Sequence, residues 1–227
     1  MKHIVIGDLH GKDVWREINI KNYDKVVFLG DYVDSFTLPD LAIDQNLQDI
    51  IQLKKDFPDK IVLLLGNHDM QYMFYPYLRC SGFRDTMKRP LKALFNMNEN
   101  LFQIAYQHRN YLFTHAGLTN AWYLEFMQIP RWRIKDSPQT LAYMLNAANN
   151  SRNCSLLYRC GVRRGGERSG GIIWADKSET ETDMLVGYHQ VVGHTPIDEV
   201  YSLSYDDTSV TYIDVLDTVT YFYEIDC

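Results

Sequence analysis

The chain has 227 residues, 46% of them hydrophobic, and a formal net charge of -6. That length allows one domain with a sizeable core, or a domain with a small cap. The acidic balance argues against a nucleic-acid sheath or a polybasic membrane anchor, and no apolar run approaches the roughly 18 residues of a membrane span. Cys80, Cys154, Cys160 and Cys227 are too scattered for a disulfide scaffold and read as reduced thiols. A strand begins directly after Met1, which leaves no room for a signal peptide, so the expected location is the cytoplasm.

In chain order, residues 3–7 read as a strand and 12–21 as a short helix through Val14, Trp15, Ile18 and Ile20. Residues 25–30 form a second strand. Pro39-Asp40 opens a helix showing Leu41, Ile43, Leu47, Ile50 and Ile51 on one face, with Lys54 and Lys55 in its last turn and Pro58 as its stop. Residues 60–66 make a third strand, and this β-α-β-α-β alternation predicts parallel strands. The aromatic run 70–77 reads as a short helix turning into a loop, and 85–96 as a helix with Met87, Leu91, Leu94 and Phe95 inward.

Residues 102–106 and 110–114 read as an antiparallel pair of strands. Residues 119–172 break the rhythm and are expected to be an inserted helical and loop cap. Ser137-Pro138 is a good helix start there, followed by a face of Leu141, Met144, Leu145 and Ala148. Residues 149–171 carry Arg152, Arg159, Arg163, Arg164 and Arg168 without periodicity. Strands are expected at 190–192, 200–203, 210–214 and 219–224, all in a second sheet packed on the first.

One pattern is written five times: a short apolar run, then a residue able to bind metal, with glycine beside it. The five are Gly7-Asp8-Leu9-His10-Gly11, Gly30-Asp31-Tyr32-Val33-Asp34, Gly66-Asn67-His68-Asp69, Thr114-His115-Ala116-Gly117 and Gly193-His194. Turn chemistry explains any one of them but not all five. Residues placed just after parallel strands collect at the carboxyl edge of the sheet, where open α/β folds bind ligands. The collected set is Asp8, His10, Asp31, Asn67, His115 and His194.

With no thiolate in the set, a structural zinc knot is disfavoured, and mixed carboxylate and imidazole donors suit manganese, iron or zinc. Six ligands exceed the needs of one tetrahedral ion, and Asp31 can bridge two. Such a pair generates hydroxide near neutral pH and offsets charge on phosphoryl oxygens during in-line attack. His68, one residue past Asn67, is the candidate proton donor to the leaving group, with Asp34 as the carboxylate that holds its tautomer. Asp69 reads as a helix cap or support. His3, His108 and His189 read as structural.

These five motifs resemble, in order and spacing, those of the calcineurin-like metallophosphoesterase superfamily. The resemblance implies a metallophosphoesterase-like α/β/β/α fold over residues 1–227, a two-sheet β-sandwich flanked by helices, with the cap at 119–172. It implies a dinuclear centre with Asp8, His10 and Asp31 on one ion, and Asp31, Asn67, His115 and His194 on the other. Gly193-His194-Thr195-Pro196, Tyr32-Val33-Asp34 and Trp174-Ala175-Asp176 are similar to the branch of bacterial and phage serine/threonine phosphatases and diadenosine tetraphosphate hydrolases. That branch carries Arg-Gly after the second motif, where this chain has Ser35-Phe36.

The expected function is therefore hydrolysis of phosphomonoesters, Ser/Thr phosphoproteins among them, by hydroxide bridging two divalent or trivalent metal ions, manganese foremost. The alternatives are a dinucleoside polyphosphate or nucleotide hydrolase and, in another class, a degenerate metal-binding scaffold. The partner is a phosphorylated substrate, with no membrane and no nucleic-acid binding expected. The arginines of 152–168 read by default as a solvated loop, with a phosphate grip by one of them as the alternative.

Overall fold

The structure is a computed structural model and describes residues 1–129, 139–151, 155–166 and 168–227. Its architecture is mixed α/β, with two sheets flanked by helices. The chain divides into two compact units, Met1–Gln103 with Val215–Cys227, and Ile104–Asp214.

The first unit holds β1 (Lys2–Ile6), β2 (Lys25–Phe28), β3 (Ile61–Leu64), β4 (Phe102–Gln103) and β10 (Tyr223–Asp226), in the order β10-β1-β2-β3-β4. β1, β2 and β3 are parallel, as the alternation predicts, β4 continues the parallel order beside β3, and β10 returns antiparallel along β1. The inner strands are buried along almost their whole length, which is why they read as continuous β-branched and leucine runs.

Helix α1 (Asp40–Asp56) buries Ile43, Leu47, Ile50 and Ile51, each worth about 1.5–3 kcal/mol of transfer free energy. It also buries Asn46, whose Oδ1 accepts from Trp15 Nε1 at 2.9 Å and whose Nδ2 donates to the Lys12 carbonyl at 3.0 Å. That amide fastens the loop after β1. Helix α2 (Asn67–Met73) starts inside the third motif, and α3 (Lys88–Met97) packs against it.

Several expectations are corrected here. Residues 12–21 form two 3-10 turns, Val14–Glu17 and Ile20–Asn22, in which only Trp15 is buried. The segment has one deep anchor, too little apolar surface to stabilise a full helix. Leu41 lies 78% exposed, because the inward stripe of α1 begins at Ile43. Leu94 is only half-buried beside Leu91 and Phe95. The strand expected over 102–106 is two strands: β4 pairs with β3 in the first sheet, and β5 begins at Ala105 in the second. The last strand belongs to the first sheet, where the Cys227 amide donates to the Met1 carbonyl and Tyr23 donates to Glu224 at 2.5 Å.

The second unit holds β5 (Ala105–His108), β6 (Tyr111–Thr114), β7 (His189–Val192), β8 (Tyr201–Tyr205) and β9 (Thr208–Tyr212), in the order β5-β6-β7-β9-β8. β6, β7 and β9 are parallel in the middle, and β5 and β8 are antiparallel edges. Helices α4 (Asn120–Phe126), α5 (Leu141–Asn150) and α6 (Lys177–Thr182) accompany this sheet. Thr119 and Thr140 cap α4 and α5 through their hydroxyls, the latter to Tyr143 N at 3.2 Å. The helix start expected at Ser137-Pro138 lies outside the described residues. Asn146 of α5 bonds the backbone at Ile104 and Ala105, which anchors the helix to the start of β5.

Candidate metal centre

In the first unit the loops after β1, β2 and β3 are tied together through Asp31. Its carbonyl accepts from the amides of Leu9 (3.1 Å) and His10 (2.8 Å), and its carboxylate Oδ1 accepts from His68 N at 2.8 Å. Gly30 and Gly66 permit this approach. A Cβ on Gly30 would stand 2.4 Å from Gly66 N, and one on Gly66 would stand 2.1 Å from Asp31 Oδ1.

Asp69, fully buried, completes the tie. Its carboxylate accepts from Gly66 N at 2.9 Å, Asp31 N at 2.7 Å and Tyr32 N at 2.9 Å. From the sequence it reads as a cap, and it does reach back to the N-terminus of α2. It also holds the neighbouring loop, which strand spacing alone cannot reveal.

Backbone strain marks the same residues. Among the described non-glycine residues with positive φ, His10 (46°), Asp31 (52°), Asp34 (67°) and His194 (69°) all belong to the motifs. The remaining two, Arg109 and Asp206, sit in hairpin turns between paired strands. A left-handed non-glycine residue costs about 1–3 kcal/mol, and such strain persists where the surroundings over-determine a functional geometry.

Ligand atoms of His10, Asp31 and His68 lie within 4.8 Å of one another. Asp8, buried in the loop after β1, and Asn67, buried at the start of α2, belong to the same edge. The tautomer of His10 is set by its partner: Nδ1 lies 2.9 Å from the Val33 carbonyl, which can only accept. Nδ1 therefore carries the proton and Nε2 presents a lone pair. Desolvation lowers the pKa of His10 and keeps the ring neutral, outweighing the Asp31 carboxylate. A neutral imidazole oriented by a carbonyl, beside a buried carboxylate, is a donor set fitted to a divalent cation.

His68 is held differently. Its Nδ1 is 3.0 Å from Asp34 Oδ2, and Asp34 also accepts from Gln71 Nε2 and the Tyr72 hydroxyl. Burial disfavours the imidazolium, but the Asp31 and Asp34 carboxylates overcome it and push the pKa of His68 up to about 12. Burial and the Asp34 carboxylate raise the pKa of Tyr72, so its hydroxyl remains a donor. Cys80, half-buried on the loop after α2, is another hydrogen-bond partner of His68, and its Sγ lies 3.8 Å from the Asn67 carbonyl. Gln71, Tyr72 and Cys80 carry no sequence signal, since they read as part of a helix face and a loop.

In the second unit, His115 comes just after β6 and His194 just after β7. Gly193 N donates to the His115 carbonyl at 2.8 Å, and His115 Nε2 and His194 Nδ1 are 3.2 Å apart. Two ring nitrogens that close can share a proton or converge on a cation. The side-chain amide of buried Gln190 brackets Leu118 through both its carbonyl and N–H (2.8 and 3.0 Å), which stiffens the loop after His115.

The arginines of 152–168 separate. Arg152 lies outside the described residues. Arg159 grips Glu125 at 2.9 and 3.0 Å and the Ser169 carbonyl at 2.8 Å, and Arg168 adds a 3.5 Å contact to Glu125. Arg164 instead reaches Thr195, beside His194, with Nη2 at 3.3 Å from Oγ1, and lies 3.4 Å from Asp176. In the first unit, Arg84 bonds Asp40 and the carbonyls of Ser35 and Leu38, bracing the loop after the second motif.

The parallel sheet edge carries carboxylate and imidazole donors able to hold a metal ion. The profile of the calcineurin-like phosphoesterase family matches residues 1–217, and the chain belongs to that family. It is a metal-binding phosphoesterase, a hydrolase.

Among solved structures, a cold-active protein tyrosine phosphatase of a psychrophile, Shewanella sp., matches with a TM-score of 0.57 at 16% identity, covering 94% of this chain and 71% of that one. A point mutant of a cold-active protein tyrosine phosphatase gives a TM-score of 0.60 at 16% identity, with coverage of 94% and 71%. At that identity the likeness concerns the fold. A search of curated proteins gives no match. Among the described residues, no helix is long and apolar enough to cross a membrane.

Proposed function

We propose that the protein is a dinuclear metal-dependent phosphomonoesterase whose substrates include Ser/Thr phosphoproteins. The observation that carries this reading is the His68–Asp34 pair at the edge of the His10–Asp31 donor set. A metal-binding scaffold has no use for such a proton donor.

In this reading Asp8, His10 and Asp31 hold one ion, and Asp31, Asn67, His115 and His194 hold the other. When bound, such ions lower the pKa of a water towards about 7 and offset charge on phosphoryl oxygens. Manganese is the first candidate, and zinc or iron suit the same donors.

His68 gives a proton from Nε2 to the departing alkoxide oxygen, because Asp34 engages Nδ1. Asp34 stabilises the imidazolium and is itself held by Gln71 and Tyr72, so it keeps its orientation as the proton leaves. Arg164, beside the His194 loop, takes the role of phosphate grip in place of the arginine missing at Ser35-Phe36. Residues 119–172 are the protein's inserted cap. Among the described residues Cys80, Cys160 and Cys227 are thiols, which supports residence in a reducing cytoplasm.

The direct test is p-nitrophenyl phosphate turnover with added manganese, then a panel of phosphopeptides, nucleotides and diadenosine polyphosphates. Manganese-dependent release of phosphate from monoesters is expected. Preferential cleavage of the polyphosphates would overturn the monoester assignment.

A further inference from the structure

His68 is shared by two separate groups of metal-capable side chains. One is the donor set with His10 and Asp31. The other consists of Asp34, His68 and Cys80, whose ligand atoms also lie within 4.8 Å of one another. Asp34 is fully buried, His68 is 12% exposed at its side chain, and Cys80 is half-buried. These are a carboxylate, an imidazole and a thiol on three different stretches of chain.

The two groups differ in the cation they favour. The first offers only oxygen and nitrogen, whereas the second includes a thiol, and thiolate donors select zinc over manganese or magnesium. Cys, His and Asp with a water in the fourth position make an ordinary tetrahedral zinc environment. The 3.0 Å separation of Asp34 Oδ2 and His68 Nδ1 suits two donors converging on one ion in place of the proton between them.

We propose that Asp34, His68 and Cys80 form an inhibitory site for zinc or another thiophilic divalent cation. On binding, the Cys80 S–H and His68 Nδ1–H bonds break, both protons pass to solvent, and the thiolate and Nδ1 lone pairs coordinate the cation; no oxidation state changes. Asp34 and His68 then ligate the ion, and their hydrogen bond is lost. Giving up the Nε2 proton would then leave an imidazolate in place of a neutral imidazole, so the leaving group loses its imidazolium donor. The effect on turnover rests on the proposed role of His68 as the acid, while the binding itself does not.

The experiment uses the manganese-loaded full chain and its Cys80→Ser and Cys80→Ala variants, with inhibition read relative to each protein's own zinc-free turnover. Zinc is titrated against p-nitrophenyl phosphate hydrolysis. Even an outer-shell partner is worth about 10–100-fold in metal affinity, so losing a ligand should raise the half-inhibiting zinc concentration at least about tenfold. In parallel, cobalt(II) is titrated without substrate, and wild type should show a thiolate-to-cobalt charge-transfer band in the near ultraviolet that both variants lack.

Equal zinc inhibition in wild type and variants overturns the proposal, because zinc then acts elsewhere. So does the absence of a band in wild type, or one that survives in both variants. If wild type hydrolyses no phosphoester, the proposed function fails, and the cobalt band still decides the thiol site.

Discussion

His68 Nδ1 and Asp34 Oδ2 stand 3.0 Å apart, with Gln71 and Tyr72 fixing the carboxylate from its other sides. The pair stabilises the imidazolium, so removing the carboxylate lowers the pKa of His68. In Asp34→Asn the alkaline limb of the kcat profile should therefore move to lower pH. His68→Asn, which removes the donor, should lose roughly 10²–10⁴-fold in kcat. A pH–rate series on wild type and both variants is the check, and equal turnover by His68→Asn would contradict its role as the acid.

The same pair affects stability in the metal-free protein. Its folded pKa of about 12 lies above the usual 6.5, so its contribution is fully present below about pH 6.5 and is lost as pH rises towards 12. In chelator, the Tm difference between wild type and His68→Asn should be greatest near pH 6 and shrink by pH 10. A constant difference across that range would show that the imidazolium is not the stabilising species.

Gly66→Ala would set a Cβ where only about 2.1 Å separates it from Asp31 Oδ1. Asp31 must then move, and with it the donor set. Elemental analysis should find sub-stoichiometric manganese in this variant, with kcat reduced in proportion.

Asp69→Ala leaves the buried N–H groups of Gly66, Asp31 and Tyr32 without their carboxylate acceptor. Each lost bond to a charged group is worth about 1.5–3 kcal/mol, and the three share one carboxylate, so a total loss of about 3–5 kcal/mol is expected by denaturant titration. Asp69→Asn retains one acceptor oxygen and should be milder.

Arg164 and Arg159 should behave oppositely. Arg164→Ala should raise KM for phosphomonoesters and weaken inhibition by inorganic phosphate, with little change in Tm. Arg159→Ala, which removes the Glu125 and Ser169 contacts, should lower Tm with KM little changed. A KM for Arg164→Ala equal to that of wild type would exclude it as the phosphate grip.

The sequence by itself determined the parallel β1–β2–β3 core and named the candidate donors, of which His10 and Asp31 meet in the first unit and His115 and His194 in the second. Both are local signals: each donor comes directly after an apolar strand, and the end of a strand fixes the position of the next few residues. Even the pairing of His68 with Asp34 was legible, because both sit just past residues already assigned to the sheet edge. Tertiary structure alone decided that β10 returns to β1, that β4 and β5 part at Ile104, and that residues 12–21 form 3-10 turns. It also decided that Asp69 accepts from two loops, that Gln71, Tyr72 and Cys80 surround Asp34 and His68, and that Arg164 rather than Arg159 reaches Thr195. Those outcomes depend on contacts between residues far apart in sequence, and side chains in loops and on helix faces carry no period that tells which distant backbone they will meet.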